Sequence, residues 1–223
     1  NSLFHLWYAG SMEPTTTALL NGRRAQAARN DQLILEAARA VFIADPGAPI
    51  AAVAERAGVG IGALYRRYAS KEELLRQLSR DGLRRYIAVA EAALAGDGDP
   101  WTAFTQFMRR IVEADTHSLT LRLAGMYTPT DDLYREAARA QELNLRLFER
   151  TRSAGAIRAD VVVDDIALVL EQLAAIRVRD PRRTDQLRQR YLALLLDALH
   201  TPSAAPLPGP APTWDEISRR WDR

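Results

Sequence analysis

The 223-residue chain contains no cysteine. That excludes disulfides and thiolate metal sites and agrees with a reducing compartment. Histidine is nearly as scarce: the three, at positions 5, 117 and 200, share no metal-ligand spacing such as His-x-x-x-His. No run of about eighteen apolar residues occurs without a charge, so no segment suits a membrane-spanning helix. Period-2 alternation long enough for a sheet is also missing; Val161 to Val163 is too short and isolated. Paired carboxylates in an apolar setting, a nucleophile–base pair and metal-ligand spacing are all absent, which argues against an enzyme. No internal repeat is visible. Lysine occurs once, at Lys71, against 29 arginines, a ratio that reads as genomic base composition.

At 48% hydrophobic, the chain can bury a proper core, and its length suits one large or two small domains. Net charge is only +2, but it is uneven. Residues 21–86 carry twelve Arg/Lys against seven Asp/Glu, while the rest of the chain is net acidic. The surplus coincides with the stretch around which the chain is organised, as an electrostatic footprint for nucleic acid requires. Chance clustering of surface arginine is the alternative that charge alone leaves open.

That stretch runs from Pro49 to Lys71, PIAAVAERAGVGIGALYRRYASK. Ile50, Val53, Ala54 and Ala57 form one apolar helical face, and Gly58 follows where a positive φ would end the helix cheaply. A second helix starts near Gly60 or Ile61, with Ile61, Leu64 and Tyr68 as its buried stripe. A Gly-containing turn between two short helices, with Ala54 at the crossing, predicts a helix-turn-helix. Gly62, Ala63, Tyr65, Arg66 and Arg67 point outward on the second helix, a face suited to a major groove. The same residues match G-x-G-x-x-[GA] over Gly58 to Ala63, but a dinucleotide fingerprint needs a preceding strand and a βαβ unit, and neither is present.

Leu33 to Phe42 (LILEAARAVF), followed by AVAERAGVGIGALYRRYASKEELL, resembles the N-terminal domain of TetR-family transcriptional regulators. The pieces that carry the resemblance are the apolar-Ala-Ala-x-x-x-Phe end of the first helix, Ala-Gly-Val, Leu-Tyr-x-x-Tyr and Ser-Lys-Glu-x-Leu. It covers about a quarter of the chain, roughly residues 29–81. Two departures stand out: Gly60 replaces the usual Ser or Thr cap, and Pro49 replaces the Thr or Ser that usually opens the preceding helix. Both remove side chains that could touch phosphate. The resemblance implies an all-α, homodimeric, cytoplasmic bacterial repressor that binds palindromic double-stranded DNA and is released by a small-molecule effector, with no cofactor. Two rivals stand beside it, a DNA-binding dimer without an effector and a helical enzyme.

In chain order, residues 1–28 read as a vector remnant up to Met12, then a flexible arm whose Arg23, Arg24 and Arg29 either line phosphates or are merely solvated. The helix-turn-helix domain spans 29–81, with its motif at about 48–67. Its first helix is expected from Asn30 or Asp31, both good N-caps, to about Ala44, with Leu33/Ile34, Ala37/Ala38 and Val41/Phe42 packed on two sides. Ser70 and Glu73 form a capping box that opens a helix from Lys71 to about Ala95. Further helices are expected at 101–116, 118–127, 131–153, 164–178 and 182–200, making residues 82–200 an effector-binding and dimerisation domain. A Pro-rich linker follows from 201, and a short helix carries Trp214, Ile217 and Trp221 on one face to dock somewhere.

Gly60, Gly62, Ala63, Tyr65, Arg66, Arg67 and Lys71 are the candidate DNA contacts. Arg66 is the candidate base reader, since a guanidinium bonds a guanine edge bidentately. For Tyr65 and Lys71 the resemblance implies phosphate contact, while Arg67 reads equally as an ordinary surface residue. Trp101, Phe104, Phe107, Met108, Met126, Tyr127 and Tyr134, with His117 and Arg122 as polar groups, read either as core or as the wall of an effector pocket. Ile166, Val169, Leu173 and Ile176 on one late helix, and Leu187, Tyr191, Leu194 and Leu195 on the next, form two apolar stripes. The resemblance implies a four-helix dimer interface there; an internal hairpin is the alternative.

Overall fold

Every regular element of the computed structural model is a helix, and the model describes residues 16–123, 125–200 and 205–218. The order is α1 (Thr16–Ala44), α2 (Ile50–Ala57), α3 (Ile61–Arg67), α4 (Lys71–Ala95) and α5 (Pro100–Glu113). It continues with α6 (Thr116–Leu123), α7 (Asp131–Ser153), α8 (Val163–Ala175), α9 (Pro181–Leu199) and α10 (Trp214–Ser218). The all-α expectation holds, and the 71–95 helix has the expected ends.

Local chemistry explains most of the boundaries. Gly58 adopts φ 67°, and its N–H and that of Val59 satisfy carbonyls at the end of α2. Asp99 accepts from Thr102 N at 2.8 Å ahead of Pro100, and Asp180 accepts from Arg182 N at 2.9 Å ahead of Pro181. Ser70 Oγ accepts from Glu73 N at 3.1 Å, but the Glu73 carboxylate turns to Arg76 at 3.0 Å. The first helix departs most from expectation. Asn30 and Asp31 cap nothing, because α1 is continuous from Thr16 and absorbs most of the supposed arm. The segment is rich in Ala and Arg, so nothing in its propensities stops a helix there.

Two apolar cores form. The first gathers Ile34, Ala38, Phe42, Val53, Leu64, Tyr68, Leu74 and Leu78 from α1 to α4. It also takes in Leu119 and Leu123 of α6, both 1% exposed. The second core is built on Phe104, Phe107, Met108, Leu147, Phe148, Ile166 and Leu196 from α5, α7, α8 and α9. Helix α4 serves both: Leu74, Leu75 and Leu78 enter the first, and Ala90 the second. Its Tyr86 meets Phe107 edge-on at 5.5 Å. Arg150 of α7 ties down the α4–α5 turn through the carbonyls of Leu94, Gly96 and Gly98. The Pro-rich segment is anchored too: Arg158 donates to Ala205 O and Asp160 accepts from Leu207 N, both at 2.7 Å. Ile217 is buried while Trp214 stays half exposed, so α10 docks on its isoleucine; Trp221 lies outside the described residues.

Candidate nucleic-acid interface

Helix α3 rests on the first core through Leu64, and its C-cap Tyr68 is also buried. Ile61, expected beneath, is instead 43% exposed. It is the first residue of the helix, and side chains lean toward the helix N-terminus, so it projects past the layer that holds Leu64. The outward surface therefore comprises Gly60, Ile61, Gly62, Tyr65, Arg66 and Arg67, with Ala63 half-buried at its edge. Gly60 and Pro49 cap their helices with no side-chain hydrogen bond, as the two departures foretold. The Arg66 guanidinium lies over Gly62, where a Cβ would sit 3.7 Å from Nη1, and meets no carboxylate among the described residues.

The other two cations of this surface are engaged. Arg67 Nε donates to Asp31 Oδ1 of α1 at 2.5 Å, and its guanidinium sits 5.5 Å from the Tyr68 ring centre. The Asp31 hydrogen bond holds Arg67 above the ordinary guanidinium range, and burial pushes Tyr68 up to about 12. Lys71 Nζ donates to Ala48 O at 2.7 Å and Pro46 O at 3.1 Å, and lies 5.1 Å from the Phe42 ring centre. It straps the α1–α2 loop to the start of α4, with one ammonium proton left to give.

The nine residues expected around an effector pocket do not surround one cavity. Phe104, Phe107 and Met108 are fully buried in the second core. Trp101 stacks on Phe104 at 5.9 Å and meets the His200 ring at 4.4 Å in a tilted contact. Met126 and Tyr127 pack on the first core, Arg122 is exposed, and Tyr134 is 61% exposed on α7. The reason is division of labour: these apolar side chains complete two separate cores, and α6 belongs to the first. His117 reaches a niche with room for about a single water, together with Ile111, Val112, Asp115, Leu170, Leu173, Ala174 and Arg188, while Phe107 borders a separate groove. His117 is half-buried overall, but its Nε2 is sealed from solvent with no partner, and burial lowers its pKa to about 4.

Arg188, which sequence reasoning passed over, is 3% exposed. It donates to Ile176 O and Ala174 O at the end of α8 and pairs with Asp115 Oδ1 at 2.8 Å. Its place at i, i+4 and i+8 with Leu192 and Leu196, on the buried face of α9, was the available clue. Asp115 takes φ 48°, unusual without glycine, and precedes α6. A roomier groove lies between the end of α4 and the start of α5, lined by Ala92, Ala93, Gly98, Thr102, Gln106 and Arg110.

The two late stripes also divide. Ile166 and Leu173 are 0% and 2% exposed inside the protomer, so neither can head an interface. Helix α8 turns them inward onto α5 and α9, while Val169, Ile176, Leu187 and Leu195 are half-buried. Helix α9 buries Leu192 and Leu196 instead, leaving Tyr191 49% and Leu194 55% exposed. Among the described residues, no helix is long and apolar enough to cross a membrane, and no cluster suits a metal ion.

Comparison with known proteins places these features. The family model described as "Bacterial regulatory proteins, tetR family" matches residues 34–78. The model for the "Transcriptional regulator SbtR-like, C-terminal domain" matches 99–201. No curated protein sequence matches the chain. Among solved structures, a TetR transcription regulatory protein from Mycobacterium vanbaalenii is 30% identical, with 80% of this chain covering 99% of it at a TM-score of 0.53. A TetR regulator from Streptomyces coelicolor is 26% identical, with 78% and 99% covered at 0.55. LfrR of Mycobacterium smegmatis, crystallised with proflavine, shares the fold at 19% identity, with 74% and 95% covered at 0.56.

Proposed function

This chain belongs to the TetR family of bacterial transcriptional regulators, and from that premise we propose a homodimeric repressor that a small molecule releases from a palindromic operator. Residues 29–81 bind DNA, and 82–200 dimerise and sense the effector. The observation that carries the reading is α3: an exposed face of Gly62, Tyr65 and Arg66, set on a buried Leu64. In a two-fold dimer, two such helices address half-sites about one helical turn or more apart. Release is supported by α6, whose His117 meets the niche while Leu119 and Leu123, on the same short helix, sit in the DNA-binding core. A ligand that displaces α6 would disturb that core and the α4 rod beside it.

One observation favours the second reading, a DNA-binding dimer without an effector. Most aromatics expected to line a pocket are core, and the niche is water-sized. Fluorescence anisotropy with a selected operator and a random duplex tests the DNA reading. Arg66→Ala is expected to lose about 1–3 kcal/mol on the operator and relax its specificity. Equal losses on both duplexes would remove Arg66 from base readout. Candidate effectors added to the operator complex then separate the two readings.

A further inference from the structure

Of the three cations along the presented surface, Arg66 has no carboxylate partner among the described residues, Lys71 straps a loop, and Arg67 is held by one carboxylate from outside the motif. That carboxylate is Asp31 of α1, 36 residues upstream of Arg67. The pair is accessible: the side chains are 58% exposed at Arg67 and 25% at Asp31. A cation at the C-terminal end of a recognition helix is placed to meet phosphate, and phosphate contacts attract every sequence alike. A fixed carboxylate on the same guanidinium opposes that attraction. We propose that Asp31 is a specificity-determining residue, which withholds Arg67 from the phosphate backbone and so trims sequence-independent binding without touching the base reader Arg66.

The consequence is electrostatic and measurable. Each added phosphate contact steepens the fall of log affinity with log salt by about 0.9. Between about 50 and 200 mM salt, one contact therefore adds a loss of about 3.5-fold. The inference rests on the DNA-binding reading but needs no effector, and its deciding readout, the salt slope on a random duplex, needs no operator. Failure to select any operator would sink the repressor and leave this measurement standing.

Asp31→Asn keeps size and hydrogen bonding while removing the charge, and Asp31→Ser removes the amide as well. Anisotropy titrations of full-length protein on a random duplex, across that salt range, are expected to show tighter binding at low salt for both variants. The salt slope should steepen by about 0.9 per protomer, and the operator-to-random ratio should fall. In Asp31→Asn/Arg67→Ala the steepening should vanish. Unchanged slopes in both single variants would overturn the proposal. So would a steepening that persists in the double variant, since Asp31 would then act on DNA directly and not through Arg67.

Discussion

Replacing Lys71 by methionine separates two roles that the sequence alone ran together. The ammonium makes two charge-assisted hydrogen bonds, at 2.7 and 3.1 Å, to the Ala48 and Pro46 carbonyls, and faces the Phe42 ring at 5.1 Å. Hydrogen bonds to charged groups contribute roughly 1.5–3 kcal/mol each when fully buried. Here the strap is half-buried and the loop carbonyls can turn to water, so each bond falls below that range, to about 1 kcal/mol, or about 2 kcal/mol for the two together. The ring contact adds about 0.5–1 kcal/mol. Against this, Lys71 is the first residue of α4, where a cation opposes the helix dipole by about 0.3–1 kcal/mol. The balance is a loss of about 2 kcal/mol. Urea unfolding followed by circular dichroism, at one fixed protein concentration, should show the midpoint falling by about 1 M for a slope near 2 kcal/mol per M. The salt slope on a random duplex should stay as it was. An unchanged midpoint with a slope flattened by about 0.9 per protomer would refute the strap and make Lys71 a phosphate ligand.

Two further outcomes test other parts of the molecule. Leu194→Glu, on the outer face of α9, should leave the protomer folded and abolish the dimer in analytical ultracentrifugation; a persistent dimer would place the interface elsewhere. Leu195→Glu is a poorer probe, because Leu195 packs on the protomer's own core. His117 stays neutral in the folded protein down to about pH 4, whereas an unfolded histidine takes up its proton near 6.5. The unfolded chain therefore binds the extra proton first, and stability should fall as pH drops from about 6.5 toward 4, by up to roughly 3 kcal/mol. Above that window the group contributes no pH dependence. His117→Phe should flatten this part of the stability profile, measured by urea midpoints, and an undiminished fall would assign it to other groups.

What the sequence determined by itself is what neighbours along the chain decide. The Gly58 turn, the Ser70 cap, the ends of α4 and helix starts within one residue of Pro100 and Pro181 all depend on residues within four positions of one another, and all were legible. So was the outward set Tyr65, Arg66 and Arg67, because a short helix has one face to bury. Where both faces of a helix are apolar, as on α8 and α9, periodicity names two stripes without ranking them. Packing against α5 then took Ile166, Leu173 and Leu196 inward and left Leu194 out. The start of α1 was missed for the opposite reason, since good caps at Asn30 and Asp31 stand in a segment where no neighbour interrupts the helix. The partners of charged side chains lay wholly beyond local reach. Arg67 finds Asp31 across 36 residues, and Lys71 finds a loop 23 and 25 residues behind it. Leu119 of α6 joins the core built by α1 to α4, not the one built by α5 and α7 to α9. Such pairings depend on how helices stack in space, and no spacing along the chain encodes that distance.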